Sequence, residues 1–356
     1  MVQFWEPYFN YSETVSYLRG MLLKSWAFIR FLRLPNLLLV FLTQAIPYWC
    51  VLRPAIARSG GIAVLSEYTF LLLGLATVLT TLAGYVINDY FDRDIDAINR
   101  PDSVVVGRFI APDVALAIYW VLQLSITFLS VELHFSIPSP HGWWALWVFP
   151  VVSLLLFLYA WQLKCTPFMG NILVALLCGV TPLLMLIPEN RPLWLSSFQF
   201  PEEIRRSTAI VWMYGLFALA TNLYREQIKD LEDFQGDASC GCHTIAVLRG
   251  IRFAKKNAGV TGFAVCLLLL FLIVFWQERL HQDWRIALGV IFLFFPAVVS
   301  VFLVFSAKEK KHFTYSSRML KIVMLSGIFL LLPYWPLTQE EWWMQWELLT
   351  QWIKVI

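Results

Sequence analysis

Asn88-Asp89-Tyr90-Phe91-Asp92-Arg93-Asp94-Ile95-Asp96 follows without interruption on the apolar run 70–87, where a hydrophobic helix would leave a membrane. Asp89, Asp92 and Asp96 stand three and four residues apart, so a continued helix gathers them on one face with Asn88 beside them. These carboxylates, with that of Asp94, repel one another unless a cation is shared. Carboxylate and amide oxygens are hard ligands, which suit Mg²⁺ better than zinc or copper. A second cluster, Arg225-Glu226-Gln227-Ile228-Lys229-Asp230-Leu231-Glu232-Asp233-Phe234-Gln235-Gly236-Asp237, follows the apolar run 209–223. There Asp230, Asp233 and Asp237 repeat the spacing, and Arg225 and Lys229 add cations suited to phosphate. One such cluster reads as a solvated helix end; two, each closing an apolar run, point to one shared site.

The chain around these clusters is built for lipid. Of 356 residues 59% are hydrophobic and 14% charged, with a mean hydropathy of +0.66, against about 25% charged in soluble domains. An integral membrane protein is expected, and the net charge of +3 implies no nucleic-acid partner. No cleavable signal sequence is expected, since the first residues lack a short basic region, an apolar run and a cleavage site. Six cysteines are scattered, and Cys240-Gly241-Cys242 lacks the spacing and second pair of a zinc knuckle, so all six are expected as unpaired, ordinary thiols.

Apolar runs long enough to cross a bilayer fall at 34–52, 68–87, 113–131, 143–161, 171–188, 208–224, 257–276, 285–306 and 319–336. The expected fold is therefore all-α, with nine transmembrane helices spanning 27–338. An interfacial segment, 1–26, precedes them and an amphipathic Trp-rich tail, 339–356, follows. Pro47, Pro150, Pro182, Pro296 and Pro333 predict kinks. With the N-terminus in the cytoplasm, nineteen lysines and arginines fall inside and eight outside. Both acidic clusters are then cytoplasmic, in a multi-pass protein of the inner (plasma) membrane. They close the second and sixth spans, which hints at two related four-helix halves and a ninth helix.

Two carboxylate clusters bridged by Mg²⁺ are suited to gripping a diphosphate, because bound magnesium neutralises charge on a departing phosphate. A cation transporter would instead place ionisable groups near the midplane on broken helices, and these sit at helix ends. Neither a Ser/His/Asp arrangement nor a glycine-rich phosphate loop is present, and His243 has no second ligand at metal spacing.

The paired motifs, from Arg33-Leu34-Pro35-Asn36 through the ninth span, resemble those of the UbiA-type intramembrane prenyltransferases. The resemblance implies a helical bundle around a central cavity, two Mg²⁺ ions, and transfer of a polyprenyl group from its diphosphate to a lipophilic acceptor. No protein partner is implied. It also implies that Asn88, Asp92 and Asp96 hold one magnesium and Asp230, Asp233 and Asp237 the other, with Asp89 and Glu226 behind them. Asp92, Asp96 and Asp233 are the expected catalytic carboxylates, and Arg225, Lys229, Lys164, Arg100, Asn36 and Tyr159 the expected contacts to the substrate diphosphate and its cavity. Plainer readings exist for several: Lys164 and Arg100 as loop charges, Asn36 as a helix cap, Tyr159 as an interfacial aromatic residue.

Within the family, the run from Asn88 to Pro101 and the one from Arg225 to Ile245 are similar to the motifs of the digeranylgeranylglyceryl phosphate synthases. These move a geranylgeranyl group onto the hydroxyl of geranylgeranylglyceryl phosphate. The chlorophyll synthase branch shares part of the first motif, and aromatic acceptors such as 4-hydroxybenzoate or a quinone precursor form a further alternative. The chain departs from both branches at Asp102-Ser103-Val104-Val105-Val106-Gly107-Arg108, where they usually read Arg-Pro-x-Pro-Ser-Gly.

Overall fold

A computed structural model of the chain describes residue 29 and residues 31–101, 104–138, 142–189, 201–280 and 287–332. The expected segments 1–26 and 339–356 lie outside the described residues. Among those described, regular structure is helical and the one β feature is an isolated Val106–Ile110 bridge.

Helix α1 (Leu34–Ile46) opens after Arg33, which sits in the left-handed region at φ 50°. Pro47 can give no backbone N–H, and the chain passes there into a π-helical turn, Pro47–Leu52, before Arg53–Arg58. Helix α2 (Glu67–Asn99) starts on a Ser66 cap whose hydroxyl accepts from the Thr69 N–H, with Glu67 in its first turn. At about 1.5 Å per residue its 33 residues extend well past an apolar layer of roughly 30 Å. The first acidic cluster is therefore a continuation of the helix beyond the apolar layer. Helices α3 (Pro112–Ser136) and α4 (Ala145–Trp161) follow, and Pro150 lies inside α4 without ending it. Helix α5 (Met169–Val180) tightens at Pro182 into a 3₁₀ segment, Thr181–Leu186.

Helix α6 (Glu202–Glu232) carries the second cluster to its end, and the short α7 (Phe234–Ser239) resumes after Asp233. Helix α8 (Ile245–Leu280) begins well before the expected residue 257 and is broken at Gly250, whose φ of 81° suits glycine. A π turn at Val290–Phe294 leads into α9 (Phe295–Ser306) beside Pro296, and α10 (Lys310–Phe329) ends the described chain; Pro333 lies beyond it.

Six described segments are long and apolar enough to cross a membrane: Leu34–Arg58, Glu67–Asn99, Pro112–Ser136, Met169–Leu186, Ile245–Val274 and Ala287–Ser306. The count of nine stays an expectation, because Ala145–Trp161 is apolar but shorter, and α6 and α10 are more polar. The buried side chains form two apolar cores. One is centred on α2 and includes Phe70, Leu73, Ile87 and Ile126; the other is centred on α6 and α10 and includes Tyr224, Ile228, Leu269 and Leu320. Where α5 crosses α6, a Cβ on Gly215 would stand 2.8 Å from the Gly179 carbonyl oxygen, so the two backbones touch through small residues.

Candidate active site

The first cluster is helical throughout, and its period sorts the side chains. Asp92 is buried and Asp89 and Asp96 half-buried, whereas Arg93 and Asp94 face outward. Asn88 Nδ2 donates to Asp92 Oδ2 at 2.7 Å, one turn apart. The second cluster is split between two helices. Its backbone leaves helical geometry at Asp233 (φ −97°, ψ 6°), so Asp230 belongs to α6 and Asp237 to α7.

This break joins the clusters. Asn99, at the end of α2, donates to the Asp233 carbonyl oxygen at 3.0 Å and accepts from the Gly236 N–H at 2.9 Å. Gly236 leaves the room for that amide, since a Cβ there would lie 2.4 Å from Asn99 Nδ2. Arg100 adds a fork, with Nη2 at 3.0 Å from both carboxylate oxygens of Asp233 and 3.6 Å from Glu232. Lys310, from the first turn of α10, donates to the Asn99 carbonyl at 2.9 Å. The two acidic helix ends therefore meet at one end of the bundle.

Each carboxylate there already has a polar or cationic neighbour. Lys164, in the turn between α4 and α5, contacts Asp92, and Arg33 contacts Asp89. Asn171 donates to Asp230 at 2.8 Å. Glu226, only 4% exposed, holds Arg225 at 3.0 Å and Lys229 at 3.2 Å. Asp96 faces Arg100 and Asp233. Tyr159 packs against the backbone at Gly170 and faces Glu226 and Asp230. Asn36 lies near Tyr85, whose ring lies 4.8 Å from the Arg33 guanidinium.

Among the described residues no three His, Cys, Asp or Glu side chains converge as a metal cage. The expected trio Asp230/Asp233/Asp237 is therefore not a preassembled shell, and with Asn88/Asp92/Asp96 it presents carboxylate and amide oxygens from two helix ends. Burial, with the charge of Asp233 added, pushes the Asp237 carboxyl up to about 6. Burial pulls the Lys164 ammonium down to about 8, against the opposing charge of Asp237.

Three positioning contacts escaped sequence reasoning: Asn99 to Asp233, Asn171 to Asp230 and Arg33 to Asp89. Asn99 lies inside the first motif stretch and Asn171 outside both, and their partners are 134 and 59 residues away. The cysteine expectation is corrected. Cys165 and Cys242 form a disulfide across 77 residues, while Cys50, Cys178, Cys240 and Cys266 remain thiols. Scattered spacing gave no sign of that pair, which only the meeting of the two loops creates.

Residues 45–325 match the UbiA prenyltransferase family. The chain belongs to that family. It is therefore a transferase by lineage, and its two acidic helix ends are this family member's candidate active site. The digeranylgeranylglyceryl phosphate synthase of Methanosphaera stadtmanae is 31% identical over 230 residues, covering 62% of this chain and 76% of the relative. The enzyme of the same name from Methanoregula boonei is 34% identical over 230 residues, covering 61% and 74%. A solved structure described as a digeranylgeranylglyceryl phosphate synthase superposes with a TM-score of 0.56 at 20% identity, covering 87% of this chain and 99% of that one. A UbiA homologue from Archaeoglobus fulgidus, solved with DMAPP and Mg²⁺, superposes at 0.51 and 14% identity, covering 85% and 98%. At these identities the two structures show the fold alone.

Proposed function

We propose that this chain transfers a geranylgeranyl group from its diphosphate to the hydroxyl of geranylgeranylglyceryl phosphate, with Mg²⁺ as cofactor. The observation that carries the reading is the convergence of both acidic helix ends, through Asn99 and Arg100, amid Lys164, Lys229 and Arg225. The relatives named digeranylgeranylglyceryl phosphate synthase support the acceptor.

The donor set fits magnesium, being carboxylate and amide oxygens without a closed cage. Mg²⁺ favours one or two carboxylates plus substrate phosphates and water over an all-protein shell. Asn88, Asp92 and Asp96 would hold it on one wall, and Asp230, Asp233 and Asp237 on the other. When bound it supplies charge neutralisation for the leaving diphosphate. Lys164, Lys229, Arg225 and Arg100 would grip the diphosphate oxygens. Asn36 would line the neighbouring wall, and the Tyr159 ring would face the allylic carbon as positive charge develops there. The apolar helices keep water from competing with the acceptor. The acceptor oxygen forms a bond to that carbon, the carbon–diphosphate bond breaks, and the hydroxyl proton passes to the released diphosphate or a site aspartate.

The excess of lysine and arginine on the side that carries both clusters supports a cytoplasmic site. The test incubates detergent-purified chain with Mg²⁺ and radiolabelled geranylgeranyl diphosphate, offering geranylgeranylglyceryl phosphate and 4-hydroxybenzoate separately. Ether-lipid product from the first alone is expected; product from the second alone would move the chain to the aromatic-acceptor branch.

A further inference from the structure

The Cys165–Cys242 disulfide joins the two walls of the site, and nothing in the proposed transfer uses it. Cys165 follows Lys164, whose ammonium rests on Asp92 of the first cluster. The Cys242 N–H donates to the Asp237 carbonyl oxygen at 2.9 Å, so the other sulfur belongs to a turn fixed on the second cluster. Both cysteines lie in connections, Cys165 in the 3₁₀ turn Leu163–Cys165 and Cys242 between α7 and α8. Breaking the bond therefore leaves every helix intact. Among the described contacts, the link then remaining between the two turns is the His243 N–H to Cys165 carbonyl bond of 2.8 Å.

Access is uneven in a way that favours exchange. Cys242 is 4% exposed, Cys165 is half-buried, and the intervening surface at Gly241 opens onto free space beside the exposed Cys240. The charge balance assigns this face to the cytoplasm, where thiol pools keep ordinary disulfides open and those that form are mostly transient or redox-sensing.

We infer that Cys165 and Cys242 form a reversible redox latch that holds Lys164 against the two acidic helix ends. The inference rests on the reading of this site as a magnesium-diphosphate site. Opening requires a dithiol. Its thiolate attacks Cys165 Sγ, Cys242 leaves as a thiolate and takes up a proton, and the second thiol releases Cys165 by closing the reagent's own disulfide. Two electrons and two protons pass to the protein. Closing is the reverse, with a small-molecule disulfide as oxidant. With the latch open, Lys164 and its turn must be ordered by each incoming ligand, which weakens binding by about five- to thirtyfold if roughly one residue of backbone is freed.

The test uses the full chain in detergent, oxidised with a small-molecule disulfide or reduced with dithiothreitol while folded. Counting maleimide-reactive cysteines after denaturation is expected to give four of the six in the oxidised protein, and all six in the reduced one. Pyrophosphate with Mg²⁺, followed by calorimetry, is expected to bind more weakly to the reduced form. Cys242→Ser is expected to bind at the weaker level and ignore reductant, whereas Cys240→Ser keeps the response. A bond that never forms, or that resists dithiothreitol until the protein unfolds, overturns the latch. Equal affinity in both redox states also overturns the latch, alone. Absence of binding in either state, with the bond demonstrably switching, overturns the diphosphate reading and the latch with it.

Discussion

Asp233 and Asn99 share a hydrogen bond yet have different work. Asp233 presents its carboxylate to Arg100 and, in the proposed reading, to metal, whereas Asn99 only fixes the backbone at Asp233 and Gly236. Asp233→Ala is expected to lower turnover by about a hundredfold or more at saturating Mg²⁺. Asn99→Ala strands two backbone groups and costs about 1–3 kcal/mol, seen as a lower melting temperature and a raised KM with kcat less affected. Turnover that survives Asp233→Ala at saturating Mg²⁺ would remove the site assignment. The titrating neighbours set a pH window. Asp237 takes a proton as pH falls through about 6 and would then lose its charge toward the proposed metal. Lys164 loses its proton as pH rises through about 8 and would then no longer attract the proposed diphosphate. A pH profile of kcat/KM is expected to fall on both sides of that window. Lys164→Arg should move the alkaline limb upward, since guanidinium stays charged; an unmoved limb would assign it to another group.

At the scale of elements, the first cluster was legible because an unbroken helix turns three-and-four spacing into one face, and α2 is unbroken to Asn99. The second was legible as chemistry but not as shape. Nothing in Leu231-Glu232-Asp233-Phe234 announces a non-helical residue, and the break is held by Asn99 and Arg100 from a distant helix. Proline was a mixed guide for the same reason: Pro47 and Pro182 change the helix type, while Pro150 is absorbed within α4. Extension of α8 back to Ile245 was hidden by the charged run Arg249–Lys256, which reads as a loop until Gly250 is seen to bend a helix. The crossing of α5 and α6 gives a stability prediction. Gly215→Ala places a methyl 2.8 Å from the Gly179 carbonyl and must part the helices. A loss of about 1–3 kcal/mol is expected, measured as thermal aggregation temperature in detergent; an unchanged temperature would mean the crossing is looser than described.

For the whole molecule, composition sufficed for the class, and hydrophobic runs for most helices, because lipid leaves a backbone few ways to satisfy its hydrogen bonds. The buried side chains divide into two apolar cores, one about α2 that also takes in Leu183–Leu186 and Val211, and one about α6 that also takes in Ile46, Cys50 and Val51. Sidedness has its own test. Among the four cysteines outside the disulfide Cys240 alone is exposed, and it lies on the side of the acidic clusters. A membrane-impermeant maleimide is expected to label it in inside-out vesicles and not in intact cells; the opposite pattern would invert the assigned topology.

The internal pairing of Lys164 with Asp92 and Arg100 with Asp233 carries a thermodynamic consequence. In the proposed reading, a lone metal ion would have to compete with a tethered ammonium or guanidinium for its carboxylate, and a lone diphosphate with the carboxylates for the same cations. Arriving together, each ligand takes the partner the other has released. Linkage then makes the gain mutual, with pyrophosphate tightening Mg²⁺ by the same factor as Mg²⁺ tightens pyrophosphate. Such a site would select for the pair and disfavour either half alone.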